Sequence, residues 1–208
     1  MSLQATIAPA ALDRDGISAS QTPGGAGNLT IGGALASGGS VTFTDAQIVA
    51  IYSGSNIAAR VFTVTGTDRF GAAMTETITG VNAGTVSGVK MFKTVTQIAV
   101  DAGTGAAVEA GVTGLLKTGW YQLRNRNGDF GASVGVDISG TCTFSIEYAL
   151  APISGAVADD SIVGWTESAG AGKSADTFLP ITSPIYAVRL NVTAFTSGTL
   201  GLYIVEKR

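Results

Sequence analysis

The chain has 208 residues, a net charge of −3 at neutral pH, no histidine and a single cysteine, Cys142. One cysteine excludes an intramolecular disulfide, and the lack of histidine removes Ser-His-Asp and Cys-His arrangements, the commonest metal ligand and the usual general base near pH 7. Charged residues are only 13% and no Lys/Arg cluster occurs, so no phosphate-neutralising surface for nucleic acid is expected.

No apolar run reaches the roughly 18 residues of a membrane helix. The N-terminal stretch lacks a basic region followed by an apolar core, so neither a membrane span nor a signal peptide is expected. Hydrophobic residues at 45% with so little charge argue against disorder over most of the chain. The same balance suits a protein packed among others, because interface cores are depleted of charge.

Residues 1–27 are rich in Ala, Ser, Gly and Thr, carry Pro9 and Pro23, and show no sustained period. They read as an extended N-terminal arm, ordered only where a neighbour ties it down. Its removal is expected to leave the rest folded. Strand signals begin at Leu29, with short alternating runs at 28–31 and 40–43. Residues 45–52 fit a strand better than a short helix capped by Thr44, since Ile48, Val49 and Ile51 favour the pleat. Residues 60–67 and 74–79 alternate on either side of Asp68-Arg69-Phe70-Gly71, which predicts a hairpin. Residues 80–88 read as a loop. Met91 to Val100 and Ala106 to Val112 read as a second hairpin closed by residues 101–105.

The pattern restarts after Gly119. Residues 124–129 form a polar loop with an Asn-Gly turn signal. Ala132, Val134, Val136 and Ile138 alternate with polar residues, and Ser139-Gly140 reads as a turn into the clearest strand of the chain. There Cys142, Phe144, Ile146, Tyr148 and Leu150 alternate with Thr141, Thr143, Ser145 and Glu147, a strand wet on one face and packed on the other. Residues 151–175 read as a long loop, 177–181 as a short strand, and 186–192 and 200–205 as strands joined by a turn at 196–198. The expected fold is all-β: two tandem antiparallel β-sandwich or jelly-roll-like modules, 28–118 and 119–208, behind the arm.

Chemical motifs are weak. Gly170-Ala171-Gly172-Lys173-Ser174 imitates the end of a phosphate-binding loop, but Glu167 stands where the first glycine belongs and would repel phosphate. Asp13-Arg14-Asp15-Gly16 opens like a calcium loop without its later acidic ligands. Asp159, Asp160, Glu167 and Asp176 could in principle pair as glycosidase carboxylates, and acidic residues in a loop are usually solvated. Asn28-Leu29-Thr30 and Asn191-Val192-Thr193 are sequons that mean little without a secretory signal. Cys142 reads as a small buried hydrophobe. Trp120, Tyr121, Trp165 and Phe178 either fill sandwich ends or form a partner or glycan contact, with Trp120, Tyr121 and Trp165 the foremost candidates. No catalytic, metal or cofactor residue is assigned, and no enzyme is expected.

Two stretches carry a resemblance. Residues 61–100, VFTVTGTDRFGAAMTETITGVNAGTVSGVKMFKTVTQIAV, resemble a domain of structural proteins in tailed-bacteriophage virions. Residues 134–148 with PIYAVRLNVTA at 184–194 are similar to the companion half of the same proteins. The resemblance implies a non-enzymatic virion protein, at home in the particle and made in the host bacterial cytoplasm. Its station would be capsid decoration, the head–tail neck or a tail accessory. The implied partners are capsid, neck or tail subunits and further copies in a homo-oligomer, with no cofactor, nucleic acid or membrane. The alternative is a carbohydrate-binding receptor-recognition module of a tail fibre or spike, using Trp165 and the acidic loop.

Overall fold

The computed structural model describes residues 2–123, 132–153, 164–166, 168–182 and 184–206. The protein is all-β, with two antiparallel sheets and, among the described residues, one short 3-10 turn, Ser168–Gly170, as its only helix. The chain divides into two compact units, residues 10–114 and residues 1–9 with 115–208. The expected polar loop at 124–129 lies outside the described residues.

The strands of the 10–114 unit are β2 (Asp13–Gln21), β3 (Gly27–Asn28), β4 (Ala36–Ser37), β5 (Ser40–Asn56), β6 (Val61–Thr67), β7 (Ala73–Thr79), β8 (Asn82–Val100) and β9 (Val108–Val112). They run in the order β2-β9-β5-β8-β6-β7, with β3 on β8 and β4 on β5. In a flat sheet β2 and β7 would lie about 24 Å apart, at roughly 4.8 Å per strand. Yet Ile17 of β2, Val49 and Ile51 of β5, Phe62 of β6, Ile78 of β7 and Val108 of β9 share one apolar core. The sheet therefore folds over on itself. The fold lies in β5 and β8, where register shifts interrupt their pairing after Thr42 and after Ile48. Such bulges bend a strand and let it pass from one layer to the other. Gly66 sits at another shift, where a Cβ would collide with the Thr94 carbonyl oxygen.

The expected β6–β7 hairpin is present, from Val61↔Thr79 to Thr67↔Ala73. Asp68 Oδ1 accepts from the backbone N–H of Phe70 at 2.8 Å and of Ala72 at 2.9 Å and so fixes its turn. The expected hairpin between Met91–Val100 and Ala106–Val112 is not. β9 pairs with β5 and β2, while the C-terminal half of β8 pairs with β6. The link carries the chain away from β8, held where Asp101 N–H donates to Val61 O and Thr104 N–H to Pro23 O. The stretch 80–88 is largely the first half of β8 and not a loop. Glu76 of β7 accepts from the N–H of Val89 at 2.6 Å and of Lys90 at 3.2 Å. This carboxylate ties the β7 edge to β8, and Gly88 leaves it room.

In the other unit the strands are β1 (Ser2–Ile7), β10 (Leu116–Lys117), β11 (Tyr121–Gln122), β12 (Ala132–Ala149), β13 (Thr177–Ile181) and β14 (Ala187–Glu206). β12 and β14 form one long antiparallel ribbon, from Ala132↔Glu206 to Ala149↔Ala187. β1 and β13 flank one half of it, β10 and β11 the other. The turns expected at Ser139-Gly140 and at 196–198 are thus not reversals. Gly140 pairs with Gly198 in mid-ribbon, at φ 124° and 100°, next to register shifts at Cys142 and Phe144. A Cβ on Gly198 would collide with the Ser139 carbonyl, so both strands bend together where only glycine fits. Val134, Phe144, Ile146, Leu190, Leu200 and Leu202 are buried on this unit's apolar side.

Residues 1–27 are not a separate arm. Ser2–Ile7 pairs residue for residue with Val205–Leu200, and Asp13–Gln21 is a strand of the 10–114 unit with Ile17 fully buried. The segment is extended, as its composition implies, but the edges that order it belong to the same chain.

Candidate functional site

The aromatic residues singled out by sequence lie in the β12–β14 ribbon and its flanks. Tyr121 pairs with Val188, Val188 with Tyr148, and Tyr148 with Trp165. Residues directly opposite in antiparallel strands share a face, so Tyr121 and Trp165 stand on the Tyr148 side of the ribbon. Trp165 is 52% exposed, and its N–H and C=O both bond to Tyr148. Trp120 is on the opposite side, its ring 4.2 Å from the Arg189 guanidinium carbon. The three aromatics therefore do not form one platform.

Trp120 instead covers a buried polar cluster. Glu147 and Arg189 are a cross-strand pair, and Arg189 Nε donates to Glu147 Oε2 at 2.7 Å. Asn191 Nδ2 donates to the other carboxylate oxygen, also at 2.7 Å. The pair's side chains are only 4% and 9% exposed. Gly164 lies directly on it, since a Cβ there would meet the carboxylate and come within 3.0 Å of Arg189 Nη2. The buried Trp120 Nε1 has no hydrogen-bond partner among the described residues. Both carboxylate oxygens are engaged and the guanidinium is stacked, so the cluster is built to hold strands together rather than to move protons. Sequence reasoning placed Glu147 on a wet face and passed over Arg189. Their partnership depends on the β12–β14 register, which no local pattern announces.

The other motifs resolve as structure. Lys173 exchanges two backbone hydrogen bonds with Phe144, and Gly172 N–H donates to Ser145 Oγ, so the Gly-rich stretch is laid along β12. Cys142 is buried, and burial pushes its thiol pKa up, which leaves a poor nucleophile at neutral pH. Asp176 Oδ1 accepts from Ile138 N–H at 2.9 Å. Asp159, Asp160 and Glu167 lie outside the described residues. Among the described residues no three His, Cys, Asp or Glu side chains converge on a metal position, and no helix is long and apolar enough to cross a membrane.

Asp13 and Asp15 sit in β2, with Arg14 over the Tyr52 ring at 4.4 Å. The Asp13 carboxyl is pushed above its usual range, first by burial and then by the hydrogen bond and charge of Asp15. A raised carboxyl pKa means that ionised Asp13 is less favourable in the folded chain than in the unfolded one. That loss is present at neutral pH and is relieved as pH falls through the folded pKa. Asp15→Asn is therefore expected to raise the melting temperature at pH 7. Melts repeated at a pH below the folded pKa of Asp13 should show the gain vanish.

No protein-family model and no curated protein matches the chain.

Proposed function

We propose that the chain is a non-enzymatic structural protein of a tailed-bacteriophage virion that docks on head, neck or tail subunits and on copies of itself. The observation that carries this reading is the β6–β7 tip, which belongs to the stretch resembling such proteins. Phe70 is 54% exposed there, on a turn fixed by both hydrogen bonds to Asp68. An aromatic presented on a backbone already fixed loses less entropy on docking, the property of an interface anchor. A chain with 13% charged residues is suited to burying such groups against neighbours. β1 adds an outer edge with no strand partner among the described residues, a template for a strand from another subunit.

The test is made on particles of a phage that encodes the chain. Quantitative mass spectrometry of purified particles should detect it, and Phe70→Ala should lower its occupancy while leaving its melting temperature unchanged. Absence from purified particles would reject the reading. A monomer mass by light scattering at micromolar concentration would remove the self-association.

A further inference from the structure

The outer face of the layer β1-β14-β12-β13 carries a second aromatic arrangement. Gln4, Tyr203, Gly135 and Phe178 lie in one row across the four strands, each opposite the next. Phe178 is 69% exposed and Tyr203 38%. Gly135 between them has no side chain, so the two aromatics border a shallow trough, on strands about 10 Å apart, two strand spacings. The far end of the Tyr203 ring lies over Gly201, where a Cβ would stand 3.0 Å from Cε2, and Gln4 Nε2 donates to the phenol oxygen at 3.4 Å. Glycine thus lets the ring lean along the sheet. Asp137, opposite Gly201, and Asp176 close one end of the depression, whose volume is about 270 Å³. The bond from Ile138 N–H holds Asp176 in place.

From this arrangement we infer that the trough is a subsite for a neutral hexopyranose of a glycan. A pyranose offers an apolar C–H face to an aromatic ring and hydroxyl donors to carboxylates, which when ionised only accept. The trough supplies both, with room for one sugar ring between Phe178 and Tyr203. Among the described residues no Lys or Arg lines it, so the carboxylates repel uronic acids, sialic acids and phosphates. A peptide strand fits less well, because Pro180 lies in the edge strand β13 and cannot donate a backbone N–H. This site is independent of the virion reading and of Trp120, Tyr121 and Trp165.

The full chain is tested on an array of neutral and acidic glycans, and by saturation-transfer NMR with methyl glycosides of glucose, galactose and N-acetylglucosamine. Retention of neutral glycans is expected, weakened at least about tenfold by Phe178→Ala, a loss of the size set by one stacking contact with its buried area. Phe178 is exposed, so that variant should melt like the parent. Tyr203→Ala should do the same to binding, and if it fails to fold, Phe178→Ala decides alone. No retained neutral glycan, retention unchanged by Phe178→Ala, or a preference for acidic glycans would overturn the inference. So would loss of self-association in Phe178→Ala without any glycan bound, which would mark a protein contact.

Discussion

Glu147→Ala is expected to cost the unit built on the β12–β14 ribbon about 3–6 kcal/mol of folding stability, the loss of two hydrogen bonds to a buried carboxylate at about 1.5–3 kcal/mol each. Arg189 would stay under the Trp120 ring with its carboxylate gone, and Asn191 would lose its acceptor. A solvent-exposed ion pair would be worth at most about 1 kcal/mol. The decisive comparison is the double variant Glu147→Leu, Arg189→Met, which removes both charges. It should recover part of the loss, because well-packed apolar replacements of a buried pair are often neutral or better, while Asn191 still lacks its acceptor. Urea unfolding of the three proteins would measure this. High salt should not reproduce the single-variant loss, since ions do not screen a pair buried from them. A Glu147→Ala protein with an unchanged midpoint would show that the ion pair contributes nothing.

The alternation in both halves was legible because a strand with one wet face writes its burial into every second residue. That is how the β6–β7 hairpin and most of the Thr141–Leu150 strand could be read directly, though β12 ends at Ala149 and leaves Leu150 exposed. Ser139-Gly140 misled because glycine marks any place where the backbone leaves ordinary strand geometry. A reversal and a shared bend look the same until Gly140 is seen opposite Gly198. The partner of β9 was hidden for a related reason: a short link such as 101–107 favours a hairpin, and only the curled core shows that β5 and β2 lie nearer. Glu76 carried no signal of its role in the alternation. It is a pin for the N–H groups of Val89 and Lys90, thirteen and fourteen residues away in sequence. At the candidate sites the residue types were visible and their sides were not. Trp120 and Tyr121 are adjacent where the chain enters β11, and extended backbone turns successive side chains to opposite faces. Phe178 became the stronger candidate once Gly135 and Tyr203 were seen in its row.

Deletion of residues 1–27 separates the two accounts of the N-terminal segment most sharply. A loose arm could be removed without penalty, whereas the deletion takes β1 from one unit and β2 from the other. Ile17 alone contributes about 1.5–3 kcal/mol by burial. With it go the bonds that Gly32, Gly33 and Leu35 N–H donate to β2 carbonyls, and those joining Gln21 to Thr30. Each such bond is worth about 1 kcal/mol, so the total reaches the roughly 5–15 kcal/mol that holds a typical domain together. The 10–114 unit should therefore not fold, and hydrogen exchange should show its amides unprotected. Deletion of residues 1–8 is the control. It removes β1 and the burial of Ile7 and no residue of the 10–114 unit. Its expected cost falls on the unit it leaves, through the burial of Ile7 at about 1.5–3 kcal/mol and the lost β1–β14 ladder, with protection in 10–114 retained. A 1–27 deletion that melted like the full chain would mean that β2 is dispensable to the core in which Ile17 is buried.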